Sequence, residues 1–145
     1  IQTIERPTVI SPREAYLRVR EALVSHGDHI EVVLEMHESV EEPGLVYSAE
    51  MIDALSDASG EALGNSLRHA GADASQAVVG MFCSDGIRLR IVDDGRGFDP
   101  HRIPGHSLGI EVGIRGRMAS VPGGSASIES APGQGTMVSL EWLPT

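Results

Sequence analysis

The alternating run Ile87-Arg88-Leu89-Arg90-Ile91 leads into Asp93-Asp94-Gly95-Arg96-Gly97. A period of two makes 87–93 a strand, with Ile87, Leu89 and Ile91 facing in and Arg88 and Arg90 facing out. An apolar strand that ends in an acid sets a carboxylate at the rim of the core. The glycines after it let the backbone fold closely around a planar group. A second run, Glu61-Ala-Leu-Gly-Asn65-Ser-Leu-Arg68-His69, carries a polar stripe. At about 100° per residue, Glu61, Asn65, Arg68 and His69 fall within about 100° of one another, and Leu63, Leu67 and Ala70 lie opposite. A carboxylate, a carboxamide and a guanidinium on one face suit a divalent cation with a phosphate chain. Together the two runs read as a nucleotide pocket.

Composition narrows the chemistry. The eleven basic residues are all arginine, so a Walker A site, a Schiff-base lysine and the lysine-dependent protein-kinase fold are excluded. A net charge of −10 argues against a nucleic-acid surface, which needs clustered cations. An acidic chain that binds a polyphosphate must neutralise it locally, by magnesium, a helix N-terminus and one or two arginines. With 145 residues, 41% of them hydrophobic, one domain with a real core is expected. The single cysteine, Cys83, supplies neither a disulfide framework nor a thiolate metal cluster, and its strand-like setting reads as an inert core thiol. The histidines are dispersed, so metal binding by them is unsupported. No apolar run is long enough to span a bilayer. The chain starts at Ile1 rather than Met, which suggests an excised piece of something longer.

Local signals divide the chain. Ser11-Pro12-Arg13-Glu14 is a capping box that opens a helix to about His26, stopped by Gly27. Ile30, Val32, Leu34 and Met36 alternate with other residues and predict a half-buried strand over 29–37. A loop follows at 41–44, and Ser48 caps a long helix that carries the stripe and ends at Gly71. Strands over 76–83 and 87–93 form a hairpin around Ser84-Asp85-Gly86. Residues 94–107 read as an exposed, mobile loop, and a helix is expected from about Leu108 to Val121. Strands over 125–130 and 136–142 flank a turn at 131–135. This order predicts an α+β, two-layer sandwich with helices on one face of a mixed, mainly antiparallel sheet. An N-terminal helical segment, 1–27, would precede or pack on a domain over 28–145.

Four motifs now stand in order. Glu61-x-x-x-Asn65, Asp93-x-Gly95-x-Gly97, Gly105-His-Ser-Leu-Gly109 and Gly133-x-Gly135-Thr136 resemble the N box and three glycine boxes of the Bergerat-fold ATPases, the superfamily of gyrase, heat-shock chaperones, histidine kinases and mismatch-repair proteins. The resemblance covers roughly 28–144. Glu61-Ala-Leu-x-Asn-x-x-Arg-His-Ala and Gly-Gly-x-x-x-Ile-x-Ser-x-Pro-Gly-x-Gly-Thr look like two-component sensor histidine kinases, in the branch that pairs with NarL/LuxR-type response regulators. The resemblance implies ATP and magnesium as cofactors. Asp93 would accept the adenine amino group, Asn65 would hold Mg2+, and Arg68 would reach the phosphates with His69 beside them. Gly95, Gly97, Gly105 and Gly109, with Leu108, would bring backbone close to the nucleotide. Thr136 would support Asp93 through a water or hydroxyl contact. Ser107 replaces a common lid glycine, and Ile110-Glu-Val-Gly113 is one residue longer than usual.

Other readings stay open at this point. Glu61 fits either a general base or a solvated helix residue, and Arg115 and Arg117 are expected to pair with acids rather than touch a nucleotide. His37 ends a period-two strand, and Pro43-Gly44 follow it, so it is rejected as a phosphoacceptor. The dimerisation and phosphoacceptor segment is expected upstream of Ile1. The implied partners are that segment of the parent kinase and a response regulator, with no nucleic acid and no direct membrane contact. The implied location is cytoplasmic, and anchoring of the parent in an inner membrane is left open. An anti-sigma-factor-type serine kinase and a non-catalytic nucleotide-sensing module are the rival readings.

Overall fold

The computed structural model describes residues 7–102 and 105–145. Residues 103 and 104, which belong to the expected loop, and the side chains of His106 and Ser107 lie outside the described residues. The elements run β1 (Val9–Ile10), α1 (Pro12–Val24), β2 (Glu31–Met36), a 3-10 turn (Glu38–Glu41), β3 (Tyr47–Ser48), α2 (Ala49–His69), β4 (Gln76–Cys83), β5 (Gly86–Asp93), α3 (Gly105–Ala119), β6 (Gly124–Ser130) and β7 (Thr136–Trp142).

Caps start the helices where the sequence signals them. Ser11 Oγ accepts from Glu14 N–H at 3.1 Å, and Ser48 Oγ accepts from Met51 N–H at 3.2 Å. Each bond satisfies one of the N–H groups that a helix start leaves over. The Glu14 carboxylate turns to Arg18 at 2.9 Å instead of closing the reciprocal half of the capping box. Helix α2 ends at His69 with Ala70 as its C-cap, and Gly71 leaves it at a φ of 118°, a conformation that disfavours side chains.

Five strands form one sheet in the order β2-β4-β5-β7-β6, parallel between β2 and β4 and antiparallel elsewhere. The register sets Val78, Ile91 and Val138 in one row and Gly80, Leu89 and Leu140 in the next. These rows bury against α2 and help form the core with Leu55 and Leu63. At Gly80 the δ-methyls of Leu89 and Leu34 fill the space a side chain would need. The expected two-layer α+β architecture therefore holds, with Ile87, Leu89 and Ile91 buried and Arg88 and Arg90 exposed on the outer face.

The differences from expectation have local causes. β1 and β3 pair as a small separate sheet, and two residues apiece are too few to display a period. β2 is an edge strand, so Met36 stays 43% exposed and only Leu34 within it is buried. Helix α1 stops at Val24, short of His26. His37 Nδ1 accepts from Ser39 N–H at 3.0 Å and caps the 3-10 turn, which occupies part of the expected loop. Helix α3 begins at Gly105, before Leu108, and ends at Ala119. Cys83 is half-buried at the end of β4 rather than in the core.

Tyr47 ties the small sheet to the large one. Its hydroxyl donates to the Cys83 carbonyl at 2.7 Å, and its ring meets Trp142 edge-on at 5.9 Å and Phe82 at 6.4 Å. Burial, then the nearby Cys83 and Asp85, push its pKa from 10.0 up to about 12. The folded state thus favours the neutral phenol. The stability this provides is complete below pH 10 and is lost as pH rises from about 10 towards 12. Unfolding free energies from urea titrations at pH 8 and upward should fall more steeply for the native chain than for Tyr47→Phe, by roughly 2 kcal/mol over that window. Parallel curves would remove the assignment.

Candidate functional site

The last two turns of α2 lie over the ends of β5 and β7, and between them is a cleft of about 210 Å³. Ala62, Asn65, Ser66, His69 and Ala70 line it from the helix, and Ile91, Asp93, Thr136 and Val138 line it from the sheet. The loop after β5 closes one side with Arg96, Gly97 and Phe98. Apolar walls with a few convergent polar groups suit a small ligand with a flat ring at one end.

Asp93 is the polar centre of this cleft. It is only 8% exposed, yet its carboxylate is doubly held. Ser66 Oγ donates to Oδ2 at 2.6 Å, and Gly95 N–H donates to Oδ1 at 3.0 Å. Each carboxylate oxygen keeps a further lone pair that could accept from a ligand. The adjoining Asp94 faces elsewhere, accepting from Ser75 N–H at 2.6 Å and locking the turn before β4. Across the cleft, Asn65 is half-buried, and its Oδ1 is fully screened from solvent with no hydrogen-bond partner among the described residues. Such a carbonyl oxygen is costly to leave alone and suits a cation or a donor from a ligand.

The motif glycines serve packing first. A Cβ on Gly95 would lie 2.8 Å from Ala70 Cα and closer still to the Ala70 carbonyl, which accepts from Arg96 N–H at 2.9 Å. Gly97 stands at a φ of 60°, and a Cβ there would meet the carbonyls of Ala131 and Gly135. Gly133 N–H donates to the Arg96 carbonyl at 2.7 Å, and Ser130 Oγ accepts from Phe98 N–H at 2.9 Å. The loop after β5 is thereby clamped between the end of α2 and the β6–β7 turn.

Of the residues singled out in the sequence, Asn65, His69, Asp93, Gly97 and Thr136 meet in the cleft. Glu61, Arg68, Gly95, Gly105, Leu108 and Gly109 do not line it. Glu61 turns to α3, with Oε2 2.7 Å from Arg117 Nη1. The contact is an ion pair whose angle falls outside hydrogen-bond geometry. Arg68 is exposed, and its guanidinium lies over Gly64, 3.2 Å from where a Cβ on Gly64 would stand. Gly105 and Gly109 border open space, and Leu108 is 48% exposed. Thr136 Oγ1 is 3.0 Å from Ser130 Oγ, and the hydroxyl that donates directly to Asp93 is that of Ser66. Ser66 and Arg96 were not singled out. A lone serine within a helix gives no signal until its partner strand is known.

Comparison with known proteins fixes the family. The model of the histidine kinase-, DNA gyrase B-, and HSP90-like ATPases matches residues 50–145. The chain belongs to this ATPase family. The matched stretch contains every residue that lines the cleft. The sensor histidine kinase LiaS of Bacillus subtilis (strain 168) is 31% identical over 81 residues, which are 56% of this chain and 22% of that protein. The chain thus spans about a fifth of its curated relative. Among solved structures, the histidine kinase domain of the Erythrobacter litoralis EL346 blue-light activated kinase aligns with a TM-score of 0.59 at 17% identity, over 96% of this chain and 65% of that one. The mycobacterial sensor histidine kinase MprB aligns with a TM-score of 0.61 at 16% identity, over 93% and 95%. At these identities the structural likeness concerns the fold.

In this member of the family, the Ser66 hydroxyl offsets the burial of the Asp93 carboxylate. Ser66→Ala removes that donor and leaves a buried carboxylate oxygen without its partner. Chemical denaturation should register a loss of about 1–3 kcal/mol. A cost within error of zero would mean the hydrogen bond contributes nothing to the fold.

Proposed function

We propose that this chain is the ATP-binding catalytic domain of a sensor histidine kinase. The observation that carries the reading is the pair of polar centres in one cleft: Asp93, clamped by Ser66 and Gly95, and Asn65, whose buried Oδ1 has no partner among the described residues. The adenine amino group would donate to Asp93. The cleft, at about 210 Å³, is below the usual range of about 300–1,000 Å³ for whole ligands, so it would enclose the base and leave the phosphates towards Asn65 and His69.

Magnesium fits this donor set. Asn65 Oδ1 is a hard, neutral oxygen, and Mg2+ is ordinarily completed by phosphate oxygens and waters rather than by an all-protein cage. No group of three or more His, Cys, Asp or Glu side chains suited to a metal occurs among the described residues, in keeping with a metal that arrives with the nucleotide. When bound, it would neutralise charge on the phosphates. Thr136 and Gly97 would border the base, and His69 would stand beside the phosphates. The exposed start of α3, with Gly105, Leu108 and Gly109, would serve as a lid. Glu61 would hold α3 through Arg117 rather than act as a base.

The γ-phosphoryl group would pass to a histidine outside this chain, with ADP as the leaving product. Positioning and charge neutralisation would supply the catalysis. The similarity to LiaS and the quoted motifs support a two-component role, with a dimerisation and phosphoacceptor segment and a NarL/LuxR-type response regulator as partners. The ATP-binding domain would span 28–145, with α1 riding on it, and would work in the cytoplasm. Among the described residues, no helix is long and apolar enough to cross a membrane.

Two measurements test the reading. Radiolabelled phosphate from ATP should reach a histidine on a supplied dimerisation segment, and Asn65→Ala should nearly abolish the transfer and the magnesium dependence of ATP affinity. Equal magnesium-dependent affinity in the variant would sink the role of Asn65. Separately, ATP should bind more tightly than GTP, whose six-position carbonyl offers Asp93 no donor. Asp93→Asn should cost on the order of tenfold to a hundredfold in ATP affinity. GTP bound as tightly as ATP would remove Asp93 from the base site.

A further inference from the structure

The geometry points to Arg96 as the cation that holds the phosphate chain of the bound nucleotide, in place of Arg68. This inference rests on the nucleotide reading above and adds a residue to it. The chain has no lysine, and its net charge is −10, so a polyanion needs a local positive group. Arg96 is the only residue with a permanent positive charge among those lining the cleft.

Five other described arginines are engaged or directed elsewhere, and Arg102, in the loop before α3, is not among the residues that line the cleft. Arg115 and Arg117 pair with Glu111 and Glu61. Arg88 pairs with Glu141, and Arg90 lies with it on the outer face of the sheet. Arg68 lies over Gly64, where His26, just past the end of α1, also brings Cε1 to 3.3 Å of a Cβ position.

Arg96 is also anchored through its backbone. Its N–H donates to Ala70 at 2.9 Å, and its carbonyl accepts from Gly133 at 2.7 Å, so the chain is fixed on both sides of its Cα. No ion pair or side-chain hydrogen bond occupies its guanidinium among the described contacts. Nη2 lies 3.8 Å from where a Cβ on Gly71 would stand, just past the end of α2 and next to the cleft residues His69 and Ala70. The negative end of the α2 dipole favours that resting place. A guanidinium held there is a short swing from any phosphate that leaves the cleft beside His69, and its fork suits two phosphate oxygens at once.

A purely structural role, capping the end of α2, is the competing account, and ligand series separate the two. Affinities for adenosine, ADP and ATP with magnesium would be measured by calorimetry on the native chain, Arg96→Gln, Arg96→Lys, Arg68→Gln and the charge-matched control Arg90→Gln. We expect Arg96→Gln to lose about tenfold for ADP and ATP and less than about twofold for adenosine. Arg96→Lys should recover part of that loss, and Arg90→Gln should match the native chain. Equal losses for adenosine and ATP in Arg96→Gln, or no loss for ATP, would overturn the proposal. An ATP-selective loss in Arg68→Gln but not in Arg96→Gln would overturn it too. If the native chain binds neither adenosine nor ATP, the nucleotide reading falls and takes this inference with it; if it binds both, a failure belongs to Arg96 alone.

Discussion

The Asp93 carboxylate is the joint on which the functional half of this molecule is assembled. A charged group 8% exposed at the end of a core strand is unfavourable unless its hydrogen bonds are replaced. Here they come from two directions, the Ser66 hydroxyl on α2 and the Gly95 amide in the following loop. One acid therefore fixes three things at once: the roll of α2 over the sheet, the end of β5 and the path of the chain that leaves it. The same acid still has lone pairs to offer. Structural need and ligand recognition fall on one residue, because a group already desolvated and held loses little when a ligand arrives.

The loop after β5 depends on close backbone contact, and the glycines make that possible. Gly95 allows the Ala70 carbonyl to be met, and Gly97 and Gly135 let the β5 loop and the β6–β7 turn interpenetrate. The clamp holds Arg96, Gly97 and Phe98 in place at the side of the cleft. On the far side of α2, Glu61 lies 3.5 Å from where a Cβ on Gly113 would stand, so α3 approaches over a residue without a side chain. The Arg117 ion pair closes that approach. A shift of α3 would accordingly be felt on α2 at Glu61, one turn from Asn65.

Much of the fold was legible because its signals are local. The alternation of 87–93, the serine caps at 11 and 48 and the hairpin around 84–86 each report on a few neighbouring residues. The cleft was legible in outline, since the stripe residues Asn65 and His69 do meet Asp93 and Thr136 there. Arg68 was misdirected for a geometric reason. The stripe runs from Arg68 through Glu61 and Asn65 to His69, whereas the cleft faces the side of α2 that carries Ala62, Asn65, Ser66 and His69, rotated so that Arg68 falls past its edge. The reasons for Gly95 and Gly97 lie in Ala70, Ala131 and Gly135, contacts that only the folded chain brings together. The small sheet of β1 and β3 left no trace because each strand is two residues long.

The aromatic contact at the other end of β7 has a practical meaning. Trp142 is the chain's one tryptophan, set edge-on to Tyr47 at 5.9 Å. Thr136, on the cleft, begins the same strand, and at about 3.4 Å per residue the two ends stand roughly 20 Å apart. The intrinsic fluorescence of this protein is therefore a gauge of the core around the small sheet and is remote from ligand. Emission followed during denaturation reads the integrity of the fold through a chromophore that the nucleotide site does not touch.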